Sequence, residues 1–371
     1  MLTPSKLVAE SAEQIYARRC ESYNGARSFQ ASLEKDVSPK LELIGCDAMA
    51  EDAAINLDAV DMGTAALPGR TVLEIATLRS LSHRSNVRGL LRFGTHLGLI
   101  VLTGLLVWWA MPNWYLLVPA MILNGFTIVT MFAPMHECVH RTAFASPRLN
   151  EVFGWIAGLL SFYNFTYYRH YHTWHHRYTQ DPARDPELMS PKPRNLFEYL
   201  LEISGLQFWC LRPLTFARLA LGQTQQYPFV PASARRAIAI SAGIQLSIYV
   251  AAIVSIVMGY PFAWYFFFLP AILAQPLLRA ILIAEHTGCT NDENGLTNTR
   301  TTLTSFPIRL VMWNMPYHTE HHLYPSIPFH QLPRAHVEIR EKLTHLAPNY
   351  VAANRIIIRS LAQAKREADL G

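Results

Sequence analysis

Two long uncharged runs restrict most strongly what this chain can fold into. No Asp, Glu, Lys or Arg occurs from Phe93 to Met135, and none occurs from Ala237 to Leu278. Because a helix that crosses a bilayer needs about 20 apolar residues, each run is long enough for two crossings joined by a tight turn. The composition points the same way, since 51% of the residues are hydrophobic and only 16% are charged, against about 25% in soluble domains. We therefore expect an integral, multi-pass membrane protein.

A turn signal lies near the middle of each run. The sequence MPN stands at 111–113 and GYP at 259–261, and such clusters of Pro, Gly and Asn favour turns. Trp and Tyr residues flank both turns, as is typical of a membrane–water interface. The sequence thus predicts four spans in two hairpins. Their expected bounds are residues 90–111, 114–135, 238–258 and 262–284.

Basic residues indicate the side of the membrane on which the hairpins begin and end. Neither turn carries a charge. Arginines stand instead at the other ends of the spans: Arg79, Arg84, Arg88, Arg92, Arg141, Arg148, Arg235, Arg236 and Arg279. Since positive residues next to spans favour the cytosolic side, both hairpins are expected to enter from the cytosol and return to it, with both termini cytosolic.

Two further apolar segments are too short or too charged to be spans. Residues 152–168 are uncharged but number only 17, which predicts a re-entrant or interfacial helix. Residues 195–225 mix apolar side chains with Arg212 and Arg218, which suits a helix in the interface. The expected division of the chain is a polar cytosolic N-terminal extension at 1–84, a membrane domain at 85–345 and a cytosolic C-terminal tail at 346–371.

Three histidine clusters lie close to predicted membrane segments. They are HECVH at 136–140, HTWHH at 172–176 and HTEHH at 318–322. Histidines three or four residues apart share a helix face, so each cluster offers two or three imidazoles to one point. With four spans, all three clusters and His286 fall on the cytosolic side. A fifth span at 152–168 would separate them.

The number of histidines near one membrane level indicates more than one metal ion. Nine imidazoles are too many for a single ion, and two ions sharing them would have four or five each. Imidazole binds Zn, Cu, Ni and Fe alike, but a redox-inert zinc site more often has three protein ligands and a water. We expect two iron ions, because oxygen activation needs a redox metal and an embedded lipid has few groups to hydrolyse. The expected ligands are His136, His140, His172, His175, His176, His286, His318, His321 and His322.

The first cluster also permits a different chemistry. HECVH fits the H-E-x-x-H signature of zinc peptidases, with Glu137 as general base. An intramembrane protease would leave the other seven histidines unexplained. With iron, Glu137 would instead orient an imidazole N–H from outside the ligand shell. Further carboxylates next to the clusters are similarly placed: Asp181, Asp185, Glu285 and Glu320. For each of the five carboxylates, a solvated or merely structural role is the alternative.

In these motifs the chain resembles the membrane fatty-acid desaturase and hydroxylase superfamily. The three boxes occur in order, with AEHTG before the third, and WNMPYHTEHHLYPSIPFHQLP is similar to the third-box region of the acyl-lipid desaturase branch. The likeness covers about residues 85–340. It implies an all-α membrane protein in which four transmembrane helices form two hairpins and a cytosolic helical cap holds a histidine-rich di-metal site. It also implies two non-haem irons and oxygen-dependent oxidation of lipid chains.

The resemblance assigns eight iron ligands to the three boxes and the ninth to His286. Some relatives carry an Asn one helical turn before that histidine, where this chain has Leu282, while Asn314 would either serve nearby or cap a loop. The His-Pro-Gly-Gly haem motif of fused cytochrome domains is absent from the sequence. A separate electron donor is therefore expected, either a ferredoxin or a small cytochrome with its reductase.

The function expected from these features is an oxygen-dependent di-iron desaturase that introduces a double bond into a lipid acyl chain. A di-iron lipid hydroxylase or carotenoid ketolase is the alternative, and an H-E-x-x-H zinc intramembrane protease a remote one. The membrane would be the bacterial inner membrane or the endoplasmic reticulum. Nucleic-acid binding is not expected, because basic residues are scattered rather than massed on one face. Four aromatic residues would line a substrate channel or pack the membrane domain: Trp155, Phe162, Tyr163 and Phe165.

Overall fold

The computed structural model describes residues 72–370, with side chains as far as residue 363. This part of the chain is helical apart from two short strands, β1 (Thr301–Thr302) and β2 (Leu346–Ala347), which pair in parallel. The N-terminal extension predicted at 1–84 lies outside the described residues as far as residue 71.

Four helical segments of the described chain are long and apolar enough to cross a membrane. The first is α2 (Asn86–Ala110), which follows the short helix α1 (Ile75–Leu81). The second, Trp114–Val139, comprises α3 (Trp114–Val129) and α4 (Phe132–Val139). The third is α9 (Ala232–Val257), and the fourth, Trp264–His286, comprises a π-helical turn (Trp264–Phe268) and α10 (Leu269–His286). The predicted helical architecture with four candidate spans is confirmed.

The second span lies between the first and the fourth and packs against both. It is joined to α2 by buried hydrogen bonds, in which the Asn124 side-chain amide donates to the Thr103 hydroxyl at 3.1 Å and to the Ile100 carbonyl at 3.2 Å. Such bonds hold helices together where apolar surroundings offer no water. On the other face, a Cβ at Gly125 would overlap the Pro270 carbonyl of α10. The missing side chain therefore allows α3 and α10 to approach closely.

The segment predicted at 152–168 is divided between two helices, α5 (Pro147–Leu160) and α6 (Phe165–Arg177). The segment that joins these helices ends at Asn164. The side-chain oxygen of Asn164 accepts from the Tyr167 backbone N–H at 2.9 Å and so caps the N-terminus of α6. The Asn164 amide also donates to Ser241 and Gln245 of α9, at 3.0 and 2.7 Å. The turn thus packs against the middle of a candidate span. α6 then returns to the end of α4 that carries His136.

The segment predicted at 195–225 also contains two helices, α7 (Leu196–Ile203) and α8 (Leu206–Ala220). Gly205 separates them with φ of 70°, a left-handed conformation that glycine adopts without steric cost. Arg212 of α8 lies over the rings of Tyr163 and Phe208, 4.3 Å from each centroid. The arginine therefore stacks between its own helix and the turn that joins α5 to α6.

The remaining helices cover the end of the bundle that carries the histidines. They are α11 (Phe306–Val311), α12 (His318–Leu323), α13 (Leu332–Ile339) and α14 (Tyr350–Leu370), with 3₁₀ turns at Pro186–Met189 and Arg340–Lys342. Leu81 of α1 packs with Tyr324 and Ile327. Ile357 of α14 packs with Ile283 of α10. The structure thus places residues on both sides of the predicted boundaries at 84 and 345 in one packed assembly.

Candidate metal centre

Nine histidines from four parts of the fold converge at one end of the helical bundle. His136 lies in α4 and His140 directly follows it; the second box is in α6, His286 ends α10, and the third box is in α12. Seven of the nine side chains are buried, and those of His140 and His176 are half-buried. The structure therefore brings together every histidine that the sequence placed in the predicted ligand set.

Five of these side chains form what we name the first histidine group: His136, His140, His172, His176 and His321. One nitrogen from each lies within 4.8 Å of the nitrogens of the others. Within the group, the Nε2 atom of His176 is 2.9 Å from that of His172 and 3.1 Å from that of His321. These nitrogens converge on one small volume.

The other four side chains form the second histidine group: His175, His286, His318 and His322. Nitrogens of His175, His286 and His322 lie within 4.8 Å of one another. His318 joins them through its Nε2 atom, 3.1 Å from His286 Nε2. The two groups are adjacent, because the rings of His176 and His322 stack with centroids 4.0 Å apart.

Helix geometry explains how the second and third boxes divide between the groups. His172 and His176 are four residues apart on α6 and face the first group, whereas His175 points to the second. In α12 the arrangement is reversed, since His318 and His322 belong to the second group and His321 to the first. Each HxxHH box therefore serves both groups, two imidazoles to one and the third to the other.

Electrostatics keep most of these imidazoles neutral. Burial and neighbouring histidines lower the pKa of His172, His176, His321 and His322 well below the usual value. The same causes lower the pKa of His318 to about 3. A neutral imidazole keeps a lone pair on one nitrogen and is the form that binds metal ions.

The nitrogens of the cluster also lack enough hydrogen-bond partners. Within the described part of the chain, both buried nitrogens of His136 and the buried Nε2 atoms of His140 and His322 have no partner. Buried polar groups are nearly always paired, and each exception needs an explanation. Two cations that accept lone pairs from the converging nitrogens would supply it. The donor set therefore fits two metal ions.

Asp185 fixes the orientation of His175. Its Oδ1 atom accepts from His175 Nδ1 at 2.9 Å, and its Oδ2 atom accepts from the backbone N–H of Gln180 at 2.8 Å. Burial lowers the pKa of His175, but the carboxylates of Asp185 and Glu187 more than offset this and raise it to about 9. With Nδ1 held by Asp185, Nε2 faces the second group, 3.3 Å from His286 Nε2.

Three further residues contact the outer nitrogens of the cluster, and the sequence prediction did not include them. The Tyr168 hydroxyl lies 3.3 Å from His172 Nδ1, and the Thr179 hydroxyl lies 3.3 Å from His322 Nδ1. His286 Nδ1 lies 3.2 Å from the carbonyl of Asn298. Tyr168 is four residues before His172, so helical spacing gave a signal for it. The other two lie in loops that carry no such pattern.

Three of the carboxylates considered from the sequence have partners other than the nine histidines. Glu137 accepts from the Phe329 backbone N–H at 2.9 Å, which agrees with the structural alternative and not with the orienting one. Glu320 is 2.5 Å from both His336 and the Thr301 hydroxyl. Asp181 binds Arg184. Among the five carboxylates, Asp185 and Glu285 are the ones beside the groups; a Glu285 oxygen lies 3.6 Å from His318 Nε2.

The remaining candidates lie in the supporting structure. Asn314 donates to the Phe329 carbonyl at 2.9 Å and so serves in a loop. Phe162 packs in the core on Tyr249, Trp209 and Phe267. A groove of about 400 Å³ open to the surface is lined by residues of α5 and α6, among them two predicted channel residues: Glu151, Val152, Trp155, Ile156, Phe165 and Thr166.

Comparison with known proteins agrees with this histidine-rich architecture. The family model described as fatty acid desaturase matches residues 112–353, which include all nine histidines. The chain belongs to the fatty acid desaturase family. The superfamily resemblance seen in the three boxes is thereby confirmed, and the family is one of oxidoreductases acting in lipid metabolism.

Two relatives illustrate what the chain is similar to. An sn-1 oleoyl-lipid 12-desaturase of Picosynechococcus sp. is 33% identical over 107 residues, covering 27% of this chain and 31% of the relative. The match thus spans less than a third of that relative's length. A sphingolipid delta(4)-desaturase of Drosophila melanogaster is 26% identical over 269 residues, covering 70% of this chain and 78% of the relative.

Proposed function

We propose that this protein is an oxygen-dependent di-iron desaturase that introduces a double bond into the acyl chain of a lipid. The observation that carries the proposal is the convergence of nine histidines, seven of them buried and two half-buried, into adjacent groups of five and four. Family membership adds the reaction class, because the matching family is the fatty acid desaturases. We assign one iron to each histidine group.

The reaction fixes what must be supplied from outside the chain. Forming the double bond removes two hydrogens from adjacent carbons. Molecular oxygen takes them together with two further electrons and two protons, and leaves as two waters. Two irons bound at the histidines would supply the oxidising power that an unactivated C–H bond requires. The two further electrons would come from an external donor, a ferredoxin or a small cytochrome with its reductase.

The residues around the first group suit an apolar substrate. Phe132 belongs to the buried core and packs beside the group, with its ring centroid 6.0 Å from that of His136 and 5.5 Å from that of Tyr168. Tyr163 extends this surface, 4.9 Å from Phe132. An aromatic surface of this kind would exclude water and contact a hydrocarbon chain. We propose that the acyl chain reaches the first group along these rings.

Desaturation is favoured over the other activities considered. Both relatives named above are desaturases, whereas a hydroxylase or ketolase would return oxygen to the same carbon. For a zinc protease, Glu137 would have to activate water beside His136 and His140. Its carboxylate instead accepts from the Phe329 backbone. The nine converging imidazoles also exceed what one zinc ion takes.

We place the histidine end of the bundle in the cytosol, because arginines are concentrated at that end. The membrane would be a bacterial inner membrane or the endoplasmic reticulum. Residues 1–84 and 346–371 would then be cytosolic, as proposed from the sequence.

The test is the fatty-acid profile of a host that expresses the chain, compared with the double variant His318→Ala and His322→Ala. Both substitutions remove imidazoles from the second group, so the variant should insert in the membrane but yield no product. A new double bond that requires the intact chain would support the proposal and give its position. A hydroxylated lipid would support the hydroxylase instead. An unchanged profile from a host with both donor types, together with one zinc in the purified protein, would refute the di-iron assignment.

A further inference from the structure

We propose that Glu285 is a tenth metal ligand and completes the second histidine group to five donors. This inference rests on the proposed di-iron function. It assigns to this chain a mixed ligand set, with five imidazoles at one ion and four imidazoles with one carboxylate at the other.

Glu285 lies beside the second group, next to His318. It precedes His286 at the end of α10, is only 8% exposed, and has Oε2 3.6 Å from His318 Nε2. That nitrogen is the one that faces His286 Nε2 at 3.1 Å. The carboxylate therefore lies beside the His318 nitrogen that faces His286, and not beside an outer nitrogen of a ring.

The contrast with Asp185 and Glu187 shows why position matters. Their oxygens lie 2.9 and 3.7 Å from His175 Nδ1, on the side of the ring away from the second group. They can hold the imidazole but are separated from an ion by it. Glu285 instead approaches the Nε2 atom of His318, which faces His286 in the second group. Its role is therefore different from that of the two other carboxylates.

Glu285 also lacks the partners that a buried carboxylate needs. Its Oε1 atom is buried without a hydrogen-bond partner among the described residues. Arg300 lies nearby, but its guanidinium donates to the carbonyls of Ala284 and Thr287 at 2.6 and 2.9 Å. Buried charges are paired or coordinate metals. A cation in the second group would compensate the carboxylate, and neutral imidazoles alone would not.

The test measures iron binding by the purified full-length protein, without reference to turnover. Wild type, Glu285→Gln, Glu285→Asp and the control Glu202→Gln are loaded with iron(II) without oxygen and titrated with a competing chelator. Glu202 is a suitable control, because this carboxylate of α7 pairs with Arg279 of α10 and not with any of the nine histidines. Loss of a partner outside the ligand shell weakens metal affinity by roughly 10–100-fold.

We expect two irons in the wild type and in Glu202→Gln. In Glu285→Gln, one iron should keep its affinity and the other should lose more than the roughly 100-fold limit of an outer partner. A smaller loss would overturn the assignment of Glu285 as a ligand. A wild type that binds no iron would instead overturn the proposed function.

A second variant keeps the inference testable if Glu285→Gln does not fold. Glu285→Asp keeps the charge but shortens the side chain, so one of the two iron Mössbauer doublets should shift while the other stays unchanged. Identical spectra for wild type and Glu285→Asp would also overturn the assignment.

Discussion

His175 shows, at the scale of one residue, how one ring nitrogen is kept for a metal ion while the other orients the ring. Its Nε2 atom faces the second group, while its Nδ1 atom is held by Asp185 at 2.9 Å. Because the carboxylate can only accept, it determines which nitrogen carries the proton. The lone pair needed for a metal is thereby fixed on the inner side of the ring. Such outer partners both orient an imidazole and increase its basicity.

Replacing Asp185 by Asn should therefore weaken metal binding in the second group. The substitution removes one of the two carboxylate charges that offset burial and raise the pKa of His175 to about 9, so the imidazole becomes a weaker base. We expect the affinity of one iron to fall by roughly 10–100-fold, and the affinity of the other to stay unchanged. Chelator competition on the purified protein measures both.

Asp181→Asn is the matched control for this prediction. Asp181 lies four residues earlier and binds the Arg184 side chain and the Ala183 amide, with no bond to the cluster. Its loss should leave both iron affinities unchanged. If Asp185→Asn also left both unchanged, the hydrogen bond to His175 would have no part in metal binding.

At the scale of helices, close packing of α3 on α10 sets the position of two histidine-bearing helix ends. The Pro270 carbonyl occupies the place of a side chain at Gly125. Since α4 continues the span that α3 begins, a shift of α3 against α10 would move His136 relative to His286. The packing of the spans is therefore linked to the geometry between the histidine groups.

Gly125→Ala should destabilise the protein. The added methyl group would overlap the Pro270 backbone and come within 2.9 Å of the Ala274 side chain. Overpacking of this kind costs about 1–3 kcal/mol, so the midpoint of thermal unfolding in detergent should fall. Gly98→Ala is the control, because nothing lies within 4 Å of its added Cβ. That control should be neutral or gain up to about 1 kcal/mol from helix propensity. Equal midpoints for both variants would contradict the packing argument.

Particular residues show which parts of the fold the sequence was able to predict. The uncharged runs and the turns at 111–113 and 259–261 were sufficient for the four candidate spans. The division of the segment at 152–168 was missed, because it depends on Asn164 both capping α6 and bonding to α9. No local pattern reports a bond between residues 81 positions apart.

The sequence also predicted part of the candidate site: the histidines that form it, but not their arrangement. Helical spacing identified the histidines, but the sequence alone did not divide them into five and four. That division depends on how α6 and α12 face each other, with His321 next to His176. The sequence likewise did not predict the direction of the Glu137 side chain, because its partner Phe329 is 192 residues away.

At the scale of the whole molecule, the site requires both hairpins to open toward the same side. His136 and His286 lie near the C-terminal ends of the second and fourth spans, and their groups are adjacent. The connections between the paired spans, near Asn113 and Tyr260, must then lie at the opposite end of the bundle. Those positions should face the outside of the membrane if the histidines are cytosolic.

Cysteine labelling in intact cells tests this arrangement. In a chain with its accessible native cysteines replaced by serine, Asn113→Cys and Tyr260→Cys should react with a membrane-impermeant maleimide. Both positions are exposed. Glu341→Cys, also exposed but near the capped end, should react only after permeabilisation. Labelling of Asn113→Cys but not of Tyr260→Cys would mean that the two hairpins have opposite orientations. No single membrane face could then hold both histidine groups, and the di-iron proposal would fail with the topology.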